Sequence, residues 1–101
     1  MTDEDELQVR DNPAQRRYEL RLGNSVVGTI RYETEPGAVV LIHTDVDSAF
    51  EGRGYGSKLA SGALDDIRAR GLSVVVSCPF VRSYLERHPE YADLVRKGEE
   101  R

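Results

Sequence analysis

Cysteine is nearly absent from this chain: Cys78 is the single thiol in 101 residues, and there is no tryptophan. One thiol cannot close an internal disulfide, and no further ligands stand near it at metal-binding spacing. The composition therefore points to a reducing cytoplasm and to no bound metal. Long apolar runs are also missing. None reaches membrane-spanning length, and the acidic start Thr2-Asp3-Glu4-Asp5-Glu6 has neither the basic segment nor the apolar segment of a signal peptide. Basic residues number 14 against 18 acidic ones, a net charge of −4, with no stripe of Lys and Arg along the chain. Nucleic acid is not an expected partner on that pattern, and neither is a membrane. What remains is 39% hydrophobic and 32% charged, too apolar for wholesale disorder and sufficient for one domain with one core.

Along the chain, residues 1–16 are mostly polar, broken by Asn12-Pro13, and read as a loosely attached lead-in. Residues 17–95 form the domain and 96–101 a charged tail. Tyr18, Leu20 and Leu22 alternate with Arg17, Glu19 and Arg21, the period of a half-buried strand. After the turn signal Gly23-Asn24, Val26 to Tyr32 reads as a second strand, with Gly28 as a candidate bulge. Glu35-Pro36-Gly37 marks another turn, and Ala38 to Val46 follows as a strand apolar on both faces at its start. Three strands joined by short turns predict an antiparallel meander.

Leu59, Ala60, Ala63, Leu64 and Ile67 then fall on one face of a helix over Ser57 to Arg70, with Gly71 at its C-terminal stop. Leu72 to Val76 is a further β-branched run. Strand, helix and strand in that order predict a right-handed crossover with its two strands parallel. Cys78-Pro79 opens a short second helix that ends at His88-Pro89. The fold class is α/β (α+β), a mixed sheet with an antiparallel N-terminal meander, one β-α-β crossover and a short C-terminal helix.

Between the third strand and the first helix lies Glu51-Gly52-Arg53-Gly54-Tyr55-Gly56-Ser57, with glycine at alternate positions. Glycine permits positive φ and keeps side chains away from the backbone amides. Free N–H groups at a helix start, with the positive end of its dipole, favour an anion such as a phosphate or pyrophosphate.

This order of elements and this loop resemble the Gcn5-related N-acetyltransferases. Their loop pattern is [Gln/Arg]-x-x-Gly-x-[Gly/Ala]; Gly54 and Gly56 match it, while Glu51 stands where Gln or Arg is usual. The stretch His43-Thr44-Asp45-Val46 and the block from Cys78-Pro79-Phe80-Val81 to His88-Pro89-Glu90-Tyr91 resemble a compact subgroup of the same family. The resemblance implies that the two parallel strands splay into a gap. The pantetheine arm of acetyl-CoA would enter that gap and pair with the backbone of Thr44, Asp45 and Val46. The amides of Glu51, Gly52, Arg53, Gly54, Tyr55, Gly56 and Ser57 would cradle its pyrophosphate, with Arg53 available to offset the charge of Glu51.

Three side chains are catalytic candidates. Cys78 stands at the start of a helix, where a thiolate is favoured, and could lie beside the thioester or accept its acetyl group. His43 carries an imidazole on the strand that feeds the gap and could take a proton from an amine. Strand alternation puts His43 and Asp45 on one face and Thr44 on the other. Tyr84 lies on the second helix, where many members of the family place a tyrosine that protonates the departing thiolate, although their usual register falls nearer Leu85. The implied activity is acetyl transfer from acetyl-CoA to an amine acceptor, small molecule or protein. The alternative is a non-catalytic module that binds acyl-CoA and regulates a partner.

Overall fold

A computed structural model describes residues 7–96. Its five-stranded sheet runs in sequence order, β1 (Leu7–Asn12), β2 (Arg17–Leu22), β3 (Ser25–Glu35), β4 (Ala38–Val46) and β5 (Ser73–Val76). The first four strands pair antiparallel, and β4 pairs with β5 in parallel, from Ala38 opposite Ser73 to Leu41 opposite Val76. Helix α1 (Tyr55–Ala69) makes the crossover, and α2 (Pro79–Arg87) follows β5. The meander, the crossover and the short final helix are as the residue pattern predicts. None of the described helices is long and apolar enough to cross a membrane.

One face of the sheet is covered. Tyr18, Leu20, Ile30, Tyr32, Val39, Leu41, Val74 and Val76 meet Leu59, Ala63, Leu64 and Ile67 of α1, Val81 and Tyr84 of α2, and Tyr91 and Leu94 beyond it. Most of the alternate residues point to the other face, where Ala38, Val40 and Val75 form a small apolar cluster with Ile42 packed against it. The 3-10 segment Pro89–Leu94 docks on α1: Tyr91 donates its hydroxyl to Asp65 at 2.7 Å, and Arg68 pairs with Asp93 at 2.9 Å. Burial, then that bond to Asp65, pushes the Tyr91 hydroxyl up to about 12. Past it, Val95 bridges Val74, so the chain runs beside the outer edge of β5.

The lead-in reading does not hold for residues 7–12. They form β1, with Leu7 and Val9 packed on the core beneath α1. Val9 lies so close to the helix that a Cβ built on Gly62 would stand 2.5 Å from its Cγ2. Charge hides this strand in the sequence, yet Asp11 is one of its anchors. It accepts from the Tyr32 hydroxyl and pairs with Arg70 at 3.0 Å, while Arg70 also holds Asp66 at 2.9 Å. Residues 1–6 and 97–101, the remainder of the expected lead-in and most of the charged tail, lie outside the described residues.

Two irregularities shape β3 and β4. The register with β2 shifts between Leu20 and Arg21, leaving Val27 as the extra residue, one position before the expected bulge at Gly28. The register with β4 shifts between Arg31 and Tyr32, so that Ile42 is extra on β4. A single extra residue reverses the alternation that follows it.

Candidate active site

That second bulge decides which side chains reach the gap. Leu41 lies in the core, and strict alternation from it would turn His43 and Asp45 inward. Instead, Thr44 sits opposite the buried Ile30, while His43 sits opposite the exposed Arg31. Cross-strand partners share a face. Thr44 and Val46 therefore point to the helices, and His43 and Asp45 point to the open face. The separation of His43 and Asp45 from Thr44 is the one expected from alternation.

The gap follows from unequal strand lengths. Ladder pairing between β4 and β5 ends at Leu41 and Val76, and Ser77 N–H donates to Leu41 O at 2.9 Å. β4 then continues to Val46 with β3 as its ladder partner, which leaves its other edge outside the ladder. Cys78 caps the N-terminus of α2 and is buried, and its Sγ lies 3.2 Å from Thr44 Oγ1 across the base of the gap. Arg82, one turn along α2, donates to Val76 O at 3.1 Å and steadies the end of β5.

Above the gap, Asp47 accepts from Ala49 N–H at 3.0 Å and starts a 3-10 turn over Ser48–Phe50. Gly52 and Gly54 then take φ of 80° and 75°, where L side chains are strained, and the space around both is open. Gly54 is the N-cap of α1 and provides no side-chain cap, so the first N–H groups of the helix keep their capacity for an anion. Val46, Phe50, Glu51, Gly52, Gly54, Tyr55, Gly56, Ser57 and Phe80 line an open concavity of about 240 Å³ at this point. Arg53 lies outside that lining, with its guanidinium 5.5 Å from the centre of the Phe50 ring. Phe50 in turn stacks on Tyr55 at 5.6 Å.

Gly56 has a different reason to be glycine. A Cβ there would stand 2.8 Å from Cζ of Phe80, which reaches over from α2. Phe80 is the wall residue that the sequence reading did not single out. Its signal was present, an aromatic residue directly after Pro79 at the start of an otherwise amphipathic helix.

Tyr84 lies between the helices rather than in the lining of the concavity. It is buried, stacks on His88 at 4.0 Å between ring centres and neighbours Tyr91 at 6.2 Å. Burial raises its hydroxyl above the ordinary tyrosine range, against a hydrogen bond with Ser61 that lowers it. Among the described residues, no cluster of His, Cys, Asp and Glu could hold a metal ion.

A mixed sheet whose two parallel strands part beneath a glycine-turned helix start leaves a crevice at the carboxyl ends of those strands, the place where sheets of this class bind their ligands. Comparison with known proteins gives the family. The sequence model of the GCN5-related N-acetyl-transferases matches residues 17–94, and the chain belongs to that family. It is 31% identical over 85 residues to protein NATD1 of Gallus gallus, covering 82% of this chain and 77% of that one. NATD1 of Homo sapiens is 29% identical over 85 residues, 82% of this chain and 75% of its own. The solution structure of a GCN5-like protein from Staphylococcus aureus superposes with a TM-score of 0.68 at 22% identity, over 90% of this chain and 89% of that one. That likeness establishes the shared fold.

Proposed function

We propose that the chain binds acetyl-CoA in the gap between β4 and β5 and transfers the acetyl group to an amine. The observation that carries this reading is the outer edge of β4 beyond Leu41, running from the Thr44–Cys78 contact to the open amides of the glycine loop. An extended, amide-bearing chain pairs readily with such an edge. The pantetheine arm lies along Thr44, Asp45 and Val46, and the pyrophosphate meets the backbone between Gly52 and Ser57. The thioester then comes to rest near Cys78. In the transfer step the amine nitrogen attacks the carbonyl carbon, the C–S bond breaks, and CoA leaves as a thiolate that takes up the proton the amine loses. His43 is the candidate that receives this proton first, and Tyr84 the candidate that delivers one to the thiolate.

A second reading, a binding module without turnover, is favoured by one feature. His43 faces the open side of the sheet and Tyr84 is packed between helices, so these two candidates do not form an acid-base pair around Cys78. One experiment separates the two. Acetyl-CoA raises the thermal midpoint under either reading, whereas only the enzyme releases free CoA thiol from a panel of small amines and lysine peptides. No thermal shift with acetyl-CoA would overturn both.

A further inference from the structure

The open face of the sheet carries an ordered set of guanidinium groups. Arg10 of β1 lies opposite Glu19 of β2, and Arg17 and Arg21 stand two residues to either side of Glu19 on the same face. Arg31 of β3 lies directly opposite Arg17 on one side and His43 on the other. Like charges placed opposite one another across strands are destabilising. Four arginines thus share this face with Glu19 in their midst, and Glu33 stands two residues beyond Arg31 on the same face.

Two of these arginines are held in place from beneath, and a third from the side by its strand neighbour. Glu19, only 3% exposed, accepts from Arg17 at 2.9 Å, Arg21 at 3.2 Å and Asn12 at 2.9 Å. Arg17 and Arg21 nonetheless keep 33% and 35% of their side-chain surface exposed. Arg10 is fixed by two bonds to Gln8 Oε1, at 3.0 and 2.7 Å. Arg31 is exposed and has no ion pair or hydrogen bond from its side chain among the described residues. A guanidinium held in place loses little freedom when it takes up a second anion.

The same face changes sign toward the gap. The row that starts at Arg10 and Glu19 continues through Thr29 to Asp45, and Asp45 and Asp47 line a groove of about 340 Å³ with Thr29 and Val26. A continuous phosphate backbone would meet those carboxylates, and the arginine rows offer no aromatic ring for base stacking. A polypeptide with carboxylates and an amine finds the opposite charge at both ends.

We propose that this face docks an acidic polypeptide segment, its carboxylates on Arg10, Arg17, Arg21 and Arg31 and its lysine amine toward Asp45. The docking stands on the face alone; only the delivery of the amine rests on the acetyl-transfer reading. The test is fluorescence anisotropy of the full chain with two labelled peptides, lysine flanked by Asp and Glu, and lysine flanked by Arg. The acidic peptide binds, binding weakens as salt rises, and the Arg10→Glu/Arg31→Glu double variant binds roughly tenfold more weakly or worse. The thermal shift with acetyl-CoA stays unchanged in that variant. If the charge reversal prevents folding, Arg10→Gln/Arg31→Gln gives the same loss in smaller measure. Equal binding of the basic peptide, or unchanged binding by the folded double variant, would overturn the proposal. Tighter binding of a labelled single-stranded oligonucleotide would overturn it in favour of nucleic acid. Charge-dependent peptide binding without any response to acetyl-CoA supports the docking surface and removes only the acetyl-transfer reading.

Discussion

Thr44 Oγ1 and Cys78 Sγ lie 3.2 Å apart and tie the interior side of β4 to the N-cap of α2. The contact exists because Ile42 is extra on β4; without that bulge Thr44 would face the open side. It holds the thiol at the base of the gap, on the side where the thioester of acetyl-CoA is proposed to lie.

If Cys78 takes the acetyl group, its thiolate attacks the thioester carbonyl, the C–S bond to CoA breaks, and CoA leaves as its thiolate. Intact mass after exposure to acetyl-CoA then shows one acetyl adduct that Cys78→Ser lacks. Thr44→Val lowers the yield of that adduct and Thr44→Ser preserves it, because serine keeps the hydroxyl that orients the thiol. Undiminished amine acetylation by Cys78→Ser would show that the thiol lines the site and does not carry the acetyl group.

Gly56 and Phe80 make a second prediction. A methyl group at residue 56 would stand 2.8 Å from Phe80 Cζ and 3.3 Å from two further ring carbons, so the ring must move. Gly56→Ala is expected to destabilise the fold by about 1–3 kcal/mol, measured by urea unfolding. Phe80 is 37% exposed, which leaves room for the ring to swing outward and holds the cost toward the lower end. Phe80→Ala in the same chain removes the clash, so the double variant is more stable than the two single losses predict. Simple additivity would mean that Gly56 is required for its backbone alone.

The two kinds of glycine in this loop illustrate how much of the site is legible in the sequence. Alternating glycines before a helical run foretell the turn, and Gly52 and Gly54 adopt the positive φ that such a turn needs. Gly56 is fixed by a ring 24 positions later, a long-range contact that spacing cannot express. β1 was obscured for a related reason. Its Leu7 and Val9 make a short alternation among charges, and its strength comes from the close approach to Gly62 and from Asp11 binding Tyr32 and Arg70. The arginine face was likewise invisible along the chain. Arg10, Arg17, Arg21 and Arg31 are spread over 22 positions and meet only through the register of three strands. The opposed faces of His43 and Thr44, by contrast, follow from alternation alone, although which of them faces the core depended on the bulge.

Glu19 gives the pH prediction. Its carboxyl is held below the ordinary glutamate value of 4.5, first by the hydrogen bond from Asn12 and then, against the cost of burial, by Arg17 and Arg21. A depressed folded-state pKa means that the unfolded chain binds the proton more readily. The stabilisation is therefore fully present above about pH 4.5 and is lost as the pH falls through the lower, folded-state value. Glu19→Gln removes the charge but keeps the shape, and leaves Arg17 and Arg21 facing each other without their shared counter-ion. At neutral pH it should cost about 1–3 kcal/mol, the usual range for breaking a buried, charge-assisted hydrogen bond. Asp93 is also held below its ordinary range, by its bond to Arg68, and contributes to acid unfolding in both proteins. The difference in stability between wild type and Glu19→Gln isolates the Glu19 share. That difference should be constant above pH 6 and shrink steadily below about pH 4.5 in denaturant titrations. A difference that does not change with pH would assign the effect to packing of the side chain and remove Glu19 as the electrostatic support of the arginine face.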